Sequence, residues 1–109
     1  MRIAKVLFKN QEAGLLKQHD DGKFSFQYHR LWVEDLGKPP ISPGLPKQIQ
    51  PYESKFLFPF FYNMLPEGSN KQIICRLNQI DKDDDFGLLL MIAKNDAIGA
   101  VRVQKAENL

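Results

Sequence analysis

A chain of 109 residues with 43% apolar and 11% aromatic side chains can build one packed core and is too apolar to remain disordered. Its 15 Lys and Arg against 13 Asp and Glu leave a formal charge of +2, far short of a dedicated phosphate-neutralising surface, so no direct nucleic-acid partner is expected. The lone Cys75 excludes an internal disulfide and any multi-cysteine metal site, and it fits a reducing, cytoplasmic compartment.

Three short runs with β character open the chain: Ile3 to Phe8, Ala13 to Lys17 and Phe24 to Tyr28. The start carries Arg2 and Lys5 and is interrupted at Lys9, so it reads as a strand rather than a secretory leader. In the third run Phe24, Phe26 and Tyr28 alternate with Ser25 and Gln27, which places the rings on one covered face of a sheet. Asp21-Gly22 is a strong turn dipeptide, because Gly tolerates positive φ and Asp bonds to nearby backbone. From Gly37 to Pro51 the chain holds Pro39, Pro40, Pro43, Pro46 and Pro51, five of its seven prolines. Each ring removes a donor and restricts the residue before it, so regular helix is excluded there.

Residues 56–66 read Phe-Leu-Phe-Pro-Phe-Phe-Tyr-Asn-Met-Leu-Pro, a density that belongs to a core or an interface. Phe60 and Phe61 are expected to fill the seam between sheet and helices. Tyr62 and Trp32 fit core and interface equally, since both residue types are enriched at interfaces. The period then turns helical, with Ile73, Ile74, Leu77 and Ile80 on one face and Gly68 and Ser69 at the expected start. Asp83 to Asp85 supply caps for a second helix whose Phe86, Leu89, Leu90 and Ala93 share a face, and Asn95 and Asp96 close it. Its apolar run, Phe86 to Ala93, has 8 residues, well below the roughly 20 of a membrane helix, so no membrane partner is expected. Ile98 to Gln104, entered through Gly99, is β-prone and is expected to rejoin the opening sheet. Strands, then helices, then a strand predict an α+β fold: a small antiparallel sheet packed with short helices, one domain over residues 1–109 with a Pro-rich loop at 37–51.

The residues that could carry chemistry lack partners. Asp81, Asp83 and Asp85 match the first ligands of a calcium loop, but Phe86 stands where that loop needs Gly and Ile92 where it needs Glu. Helix capping explains the acidic run instead. Cys75 sits at a helical position beside Ile74, without partner spacing to His19 or His29, so an inert buried thiol is expected. Neither GxxxxGK[ST] nor GxGxxG occurs, and no HRD element supplies a phosphoryl-transfer base. The residues therefore predict a chain that is not an enzyme and takes no cofactor or metal.

The apolar block also carries a resemblance. Pro59-Phe60-Phe61-Tyr62-Asn63-Met64-Leu65-Pro66-Glu67-Gly68, then Asp85-Phe86-Gly87-Leu88-Leu89-Leu90, then Asp96-Ala97-Ile98-Gly99-Ala100-Val101, resembles in order and spacing the N-terminal subdomain of HipA-type serine/threonine kinases. Upstream, Gly14-Leu15-Leu16, Phe24 to Tyr28 and Ile41-Ser42-Pro43-Gly44-Leu45-Pro46 look like the family's opening strands and Leu-Pro segment. Where HipA-type chains continue into a kinase, this one stops at Leu109, which is similar to the small HipS-type subunits of tripartite HipBST toxin-antitoxin systems.

The resemblance implies a non-catalytic subunit that binds a HipT-like serine/threonine kinase and regulates or neutralises it. Its alternative is a scaffold that completes the kinase N-terminal lobe and links it to a DNA-bound, HipB-like antitoxin without inhibition. The contact is expected at the Leu-Pro-Glu-Gly turn, where Tyr62, Met64, Glu67, Ser69 and Asn70 combine an aromatic anchor, an adaptable thioether and polar groups. The sheet near Trp32 is the second choice. Many relatives carry an aromatic residue where this chain has Ser69, so docking on a kinase lobe is expected in place of plugging its cleft.

Overall fold

The computed structural model describes residues 1–93 and 100–106. β1 (Arg2–Phe8), β2 (Gln11–Gln18) and β3 (Phe24–Tyr28) form successive hairpins, followed by α1 (Arg30–Glu34) and β4 (Tyr52–Ser54). Then come α2 (Pro59–Tyr62), α3 (Gly68–Asn78), α4 (Asp85–Ala93) and β5 (Val101–Lys105). The strands make one antiparallel sheet in the order β4-β3-β2-β1-β5. The α+β architecture read from the sequence is therefore the one observed, and the tail does return to the opening sheet, beside β1.

The first hairpin closes through Lys9 and Asn10, both at positive φ (49° and 66°), the tight geometry whose twist matches that of the flanking strands. At Asp21-Gly22 the glycine has φ 90° and the Asp21 carboxylate accepts from the Lys23 amide at 2.9 Å. Cross-strand rows follow from the register: Phe26, Leu16 and Ala4 form one, and Tyr28, Gly14, Val6 and Val103 the next. All of these except Gly14 belong to the buried hydrophobic core. Gly14 is required by a close approach, because a Cβ there would lie 2.4 Å from the Gln27 carbonyl oxygen. Next to this row a register shift between Val6 and Leu7 leaves Ala13 as an extra residue on β2.

The helices cover the ring-bearing face. Phe61 of α2 lies 5.9 Å from Phe26, and Phe86 of α4 stacks 6.5 Å from Phe24. Phe61 is fully buried and Phe60 packs half-buried beside it at 5.3 Å, in line with their expected place in the seam. α4 starts at the acidic run, where the Asp84 carboxylate accepts from the Gly87 amide at 3.0 Å and from Arg2 at 3.1 Å. The Arg2 hydrogen bonds hold the Asp84 carboxyl below its ordinary pKa against the opposing effect of burial. This pair ties the first strand to the last helix.

The Pro-rich loop is held by side chains that donate to its carbonyls, as its own ring nitrogens cannot. Tyr28 Oη donates to the Leu45 carbonyl and accepts from the Ile41 amide at 3.0 Å. Tyr52 Oη donates to Pro46 at 2.6 Å and Gln27 Nε2 to Ile49 at 2.9 Å. Lys47 Nζ reaches the carbonyls of Trp32, Asp35 and Lys38 at 3.2, 2.8 and 2.6 Å. Desolvation pushes the Tyr28 phenol up to about 12.

One expectation is corrected. Trp32 is a core residue, only 4% exposed, with its indole donating to the Pro39 carbonyl at 2.9 Å and its ring meeting Phe8 edge-on at 6.0 Å. It offers no surface for a partner because the folded-back loop covers it. On α3 the apolar stripe is covered only in part: Ile74 and Ile80 pack half-buried against the core, Ile73 and Leu77 are 52% and 76% exposed, and the residue that α3 buries is Cys75. The stripe runs beyond what α2 and α4 cover. The expected helix closure at Asn95 and Asp96 and the strand entry at Ile98 and Gly99 lie outside the described residues.

Candidate functional site

The turn between α2 and α3 is built from both ends. Pro59 starts α2 with its φ already set and no amide to satisfy. Asn63 donates to the Pro59 carbonyl at 2.9 Å, Met64 to Phe61 and Leu65 to Tyr62, each at 3.0 Å, until Pro66 brings no donor. Glu67 is extended (φ −120°, ψ 159°) and Gly68 takes φ 58° with open space around its missing Cβ. The backbone angle, and not a close contact, is therefore what favours glycine at that position.

Phe61 and Leu65 are buried and anchor the turn, which leaves its rim in solvent. Tyr62 is 47% exposed. Asn63, Glu67, Gly68, Ser69 and Asn70 are exposed, Met64 and Pro66 half-buried. The fold thus brings Tyr62, Met64, Glu67, Ser69 and Asn70 to one surface turn and leaves Trp32 apart from it in the core. Among the remaining motif residues, Pro59 is exposed, Asp96 and Gly99 lie outside the described residues, and the Ala100 carbonyl accepts from the Lys9 amide at 2.9 Å.

Sequence reasoning missed what lies beside this turn. Met64, Leu65 and Pro66 face Ile74 and Asn78 of α3 and Met91 and Ile92 of α4 across a groove of about 460 Å³. Ile73 and Leu77, four residues apart and so on one helix face, are exposed on the outside of α3. The signal was present in the Ile73 to Ile80 spacing, but spacing does not distinguish a face covered by its own chain from one left open.

The arrangement suits binding more than bond chemistry. Sequence reasoning also passed over Asp85-Phe86-Gly87, the tripeptide with which kinases hold magnesium, but here it opens α4, with Asp85 paired to Lys71 at 3.5 Å and Phe86 in the core. His19 Nε2 is bonded to Ser25 Oγ at 2.9 Å and His29 Nε2 to Glu12 at 2.5 Å. Among the described residues no group of three or more His, Cys, Asp and Glu could hold a metal ion, and no helix is long and apolar enough to cross a membrane.

Comparison with known proteins gives a consistent picture. Residues 4–104 match the family model described as HipA N-terminal domain. A Sinorhizobium fredii protein named "Putative kinase Y4mE" is 28% identical over 103 residues, 94% of this chain and 24% of that protein. A Haemophilus influenzae protein named "Uncharacterized protein" is 33% identical over 105 residues, 96% of this chain and 93% of its own length. A second Sinorhizobium fredii protein, "Putative kinase Y4dM", is 27% identical over 111 residues, 96% of this chain and 27% of its own. The chain thus spans about a quarter of the length of both kinase-named relatives. Among solved structures, one described as "N-terminal domain of HipA toxin" shares the fold, with a TM-score of 0.69, 24% identity and coverage of 100% of this chain and 96% of that one.

Proposed function

The chain belongs to the HipA N-terminal domain family, and from that premise we propose that it is a non-catalytic partner of a HipT-like serine/threonine kinase. It docks on the kinase through the turn between α2 and α3 and restrains it, as the small subunit of a HipBST-type toxin-antitoxin system. A HipB-like DNA-binding antitoxin is reached through the kinase.

The observation that carries this reading is the unequal coverage of the relatives. The same domain fills 93% of the Haemophilus influenzae protein but 24% and 27% of the two kinase-named ones. A domain that occurs both attached to a longer kinase-named chain and in a protein of its own length is suited to act in trans on what it otherwise accompanies in cis. Exposed Ser69 at the turn supports docking against a lobe over insertion into the cleft, because its side chain is too small to fill one.

Co-expression with a HipT-like kinase from the same organism tests the reading. The two proteins are expected to co-elute in size-exclusion chromatography at micromolar concentration, with kinase autophosphorylation lowered. Independent migration overturns the proposal, and co-elution with undiminished autophosphorylation replaces restraint with scaffolding.

A further inference from the structure

Resting on the kinase-partner reading, we infer that Ser69 is a phosphoacceptor: the serine/threonine kinase that this chain meets transfers a phosphoryl group to its hydroxyl. The turn between α2 and α3 is then a substrate of the enzyme it docks on as well as a contact.

The first observation is which hydroxyls the fold leaves available. The chain has Ser25, Ser42, Ser54 and Ser69 and no threonine, so few oxygens compete for the role. Ser25 is buried, with its Oγ 2.9 Å from His19 Nε2. Ser42 and Ser54 are half-buried, and their Oγ atoms accept from the amides of Gly44 and Phe56 at 3.3 and 3.1 Å. Ser69 alone among them is exposed.

The second observation is that the backbone around Ser69 can be presented to another protein. An acceptor must enter a cleft on its own stretch of chain, and residues 67–70 are all exposed, with no side chain buried behind them. Ser69 stands in the first turn of α3, and that turn is weakly fixed. Glu67 at the N-cap makes no side-chain capping bond, and no acidic residue in the turn complements the helix dipole. The bond from the Lys71 amide to the Glu67 carbonyl is stretched to 3.4 Å. Opening this turn leaves the domain intact, because buried Leu65 and Cys75 hold the chain on either side of it. Gly68, at φ 58°, supplies the pivot.

The third observation is size. A side chain too small to fill a cleft leaves room beside it for the γ-phosphate of a nucleoside triphosphate. In the transfer, Ser69 Oγ bonds to the γ-phosphorus as the bond from that phosphorus to the β,γ-bridging oxygen breaks. The electron pair leaves on the nucleoside diphosphate, and the hydroxyl proton passes to a carboxylate base of the kinase. This chain provides only the acceptor, and the kinase provides the nucleotide site and the base.

The test incubates the wild-type chain, Ser69→Ala and Ser69→Thr with ATP, magnesium and an excess of a HipT-like kinase from the same organism. Intact mass and peptide mapping follow the modification, thermal unfolding checks each variant, and size-exclusion chromatography records co-elution of the wild-type chain. Both variants are expected to keep the wild-type unfolding midpoint, because the side chain is exposed. The wild-type chain is expected to gain one phosphoryl group, mapped to Ser69. Ser69→Ala is expected to gain none and Ser69→Thr to recover the modification, which identifies the hydroxyl rather than the shape of the turn as what the kinase requires. Co-elution of a wild-type chain that stays unmodified, or carries the phosphoryl group on Ser42 or Ser54, overturns the acceptor while leaving the kinase partnership standing. Equal modification of Ser69→Ala overturns it likewise. A wild-type chain that neither co-elutes nor is modified overturns both readings.

Discussion

The Tyr28 hydroxyl joins the sheet to the Pro-rich loop, since it donates to Leu45 and accepts from Ile41. Tyr28→Phe leaves both backbone groups buried without that partner and is expected to cost about 1–3 kcal/mol in denaturant unfolding. The sign of its pH dependence follows from its pKa, raised to about 12 by desolvation. The unfolded phenol loses its proton near pH 10, so this contribution is complete below about pH 10 and is lost as pH climbs from there towards about 12. Tyr28→Phe should shrink the difference in stability between pH 7 and pH 11. Asp84 has the opposite sign: its carboxyl, held low by Arg2, contributes above about pH 4 and loses that contribution as pH falls through its depressed value. Asp84→Asn should weaken the acid sensitivity of unfolding while keeping an acceptor for the Gly87 amide. At Gly14, alanine would place a methyl 2.4 Å from the Gln27 carbonyl oxygen, a backbone atom that cannot swing aside. A loss of about 3 kcal/mol, near the upper end of overpacking costs, is expected from urea titration of Gly14→Ala.

The elements differ in how far the sequence announces them. β1, β2 and β3 were legible because alternation and a turn dipeptide act locally. β4, α1 and α2 were not: they have three, five and four residues, too few for a period, and owe their shape to tertiary anchors such as Trp32 and Phe61. The loop over residues 37–51 was correctly read as non-helical, yet its attachment was invisible, since nothing in the composition says that Lys47 will serve three distant carbonyls. Lys47→Met should cost about 1–3 kcal/mol by leaving those carbonyls short of a donor. Limited proteolysis should then cut within residues 37–51 faster than in the wild-type chain. α3 illustrates the converse case. Its apolar spacing is real, but the face splits between the half-buried Ile74 and the open Ile73 and Leu77. Periodicity locates a face without naming what covers it.

At the scale of the whole molecule, the fold separates a core-forming job from a surface job within one short block of sequence. Phe61 and Leu65 hold the turn down, while Tyr62, Glu67, Ser69 and Asn70 stand in solvent. The place of this turn was legible because Pro66 fixes its own backbone angle and Gly68 permits a positive φ, both local properties. The burial of Trp32 was not, because the loop that covers it arrives from elsewhere in the chain. If the turn meets the kinase, Tyr62→Ala should weaken the complex by about 1–4 kcal/mol without unfolding the domain, and Ser69→Trp should strengthen inhibition by adding the bulk that the turn lacks. The most direct measurement is calorimetric titration of the HipT-like kinase with the wild-type chain and with Tyr62→Ala, at matched thermal stability. The account predicts saturable binding of one chain per kinase and a clear loss of affinity for Tyr62→Ala. No heat of binding with the wild-type chain, or equal affinity for the two, would contradict it.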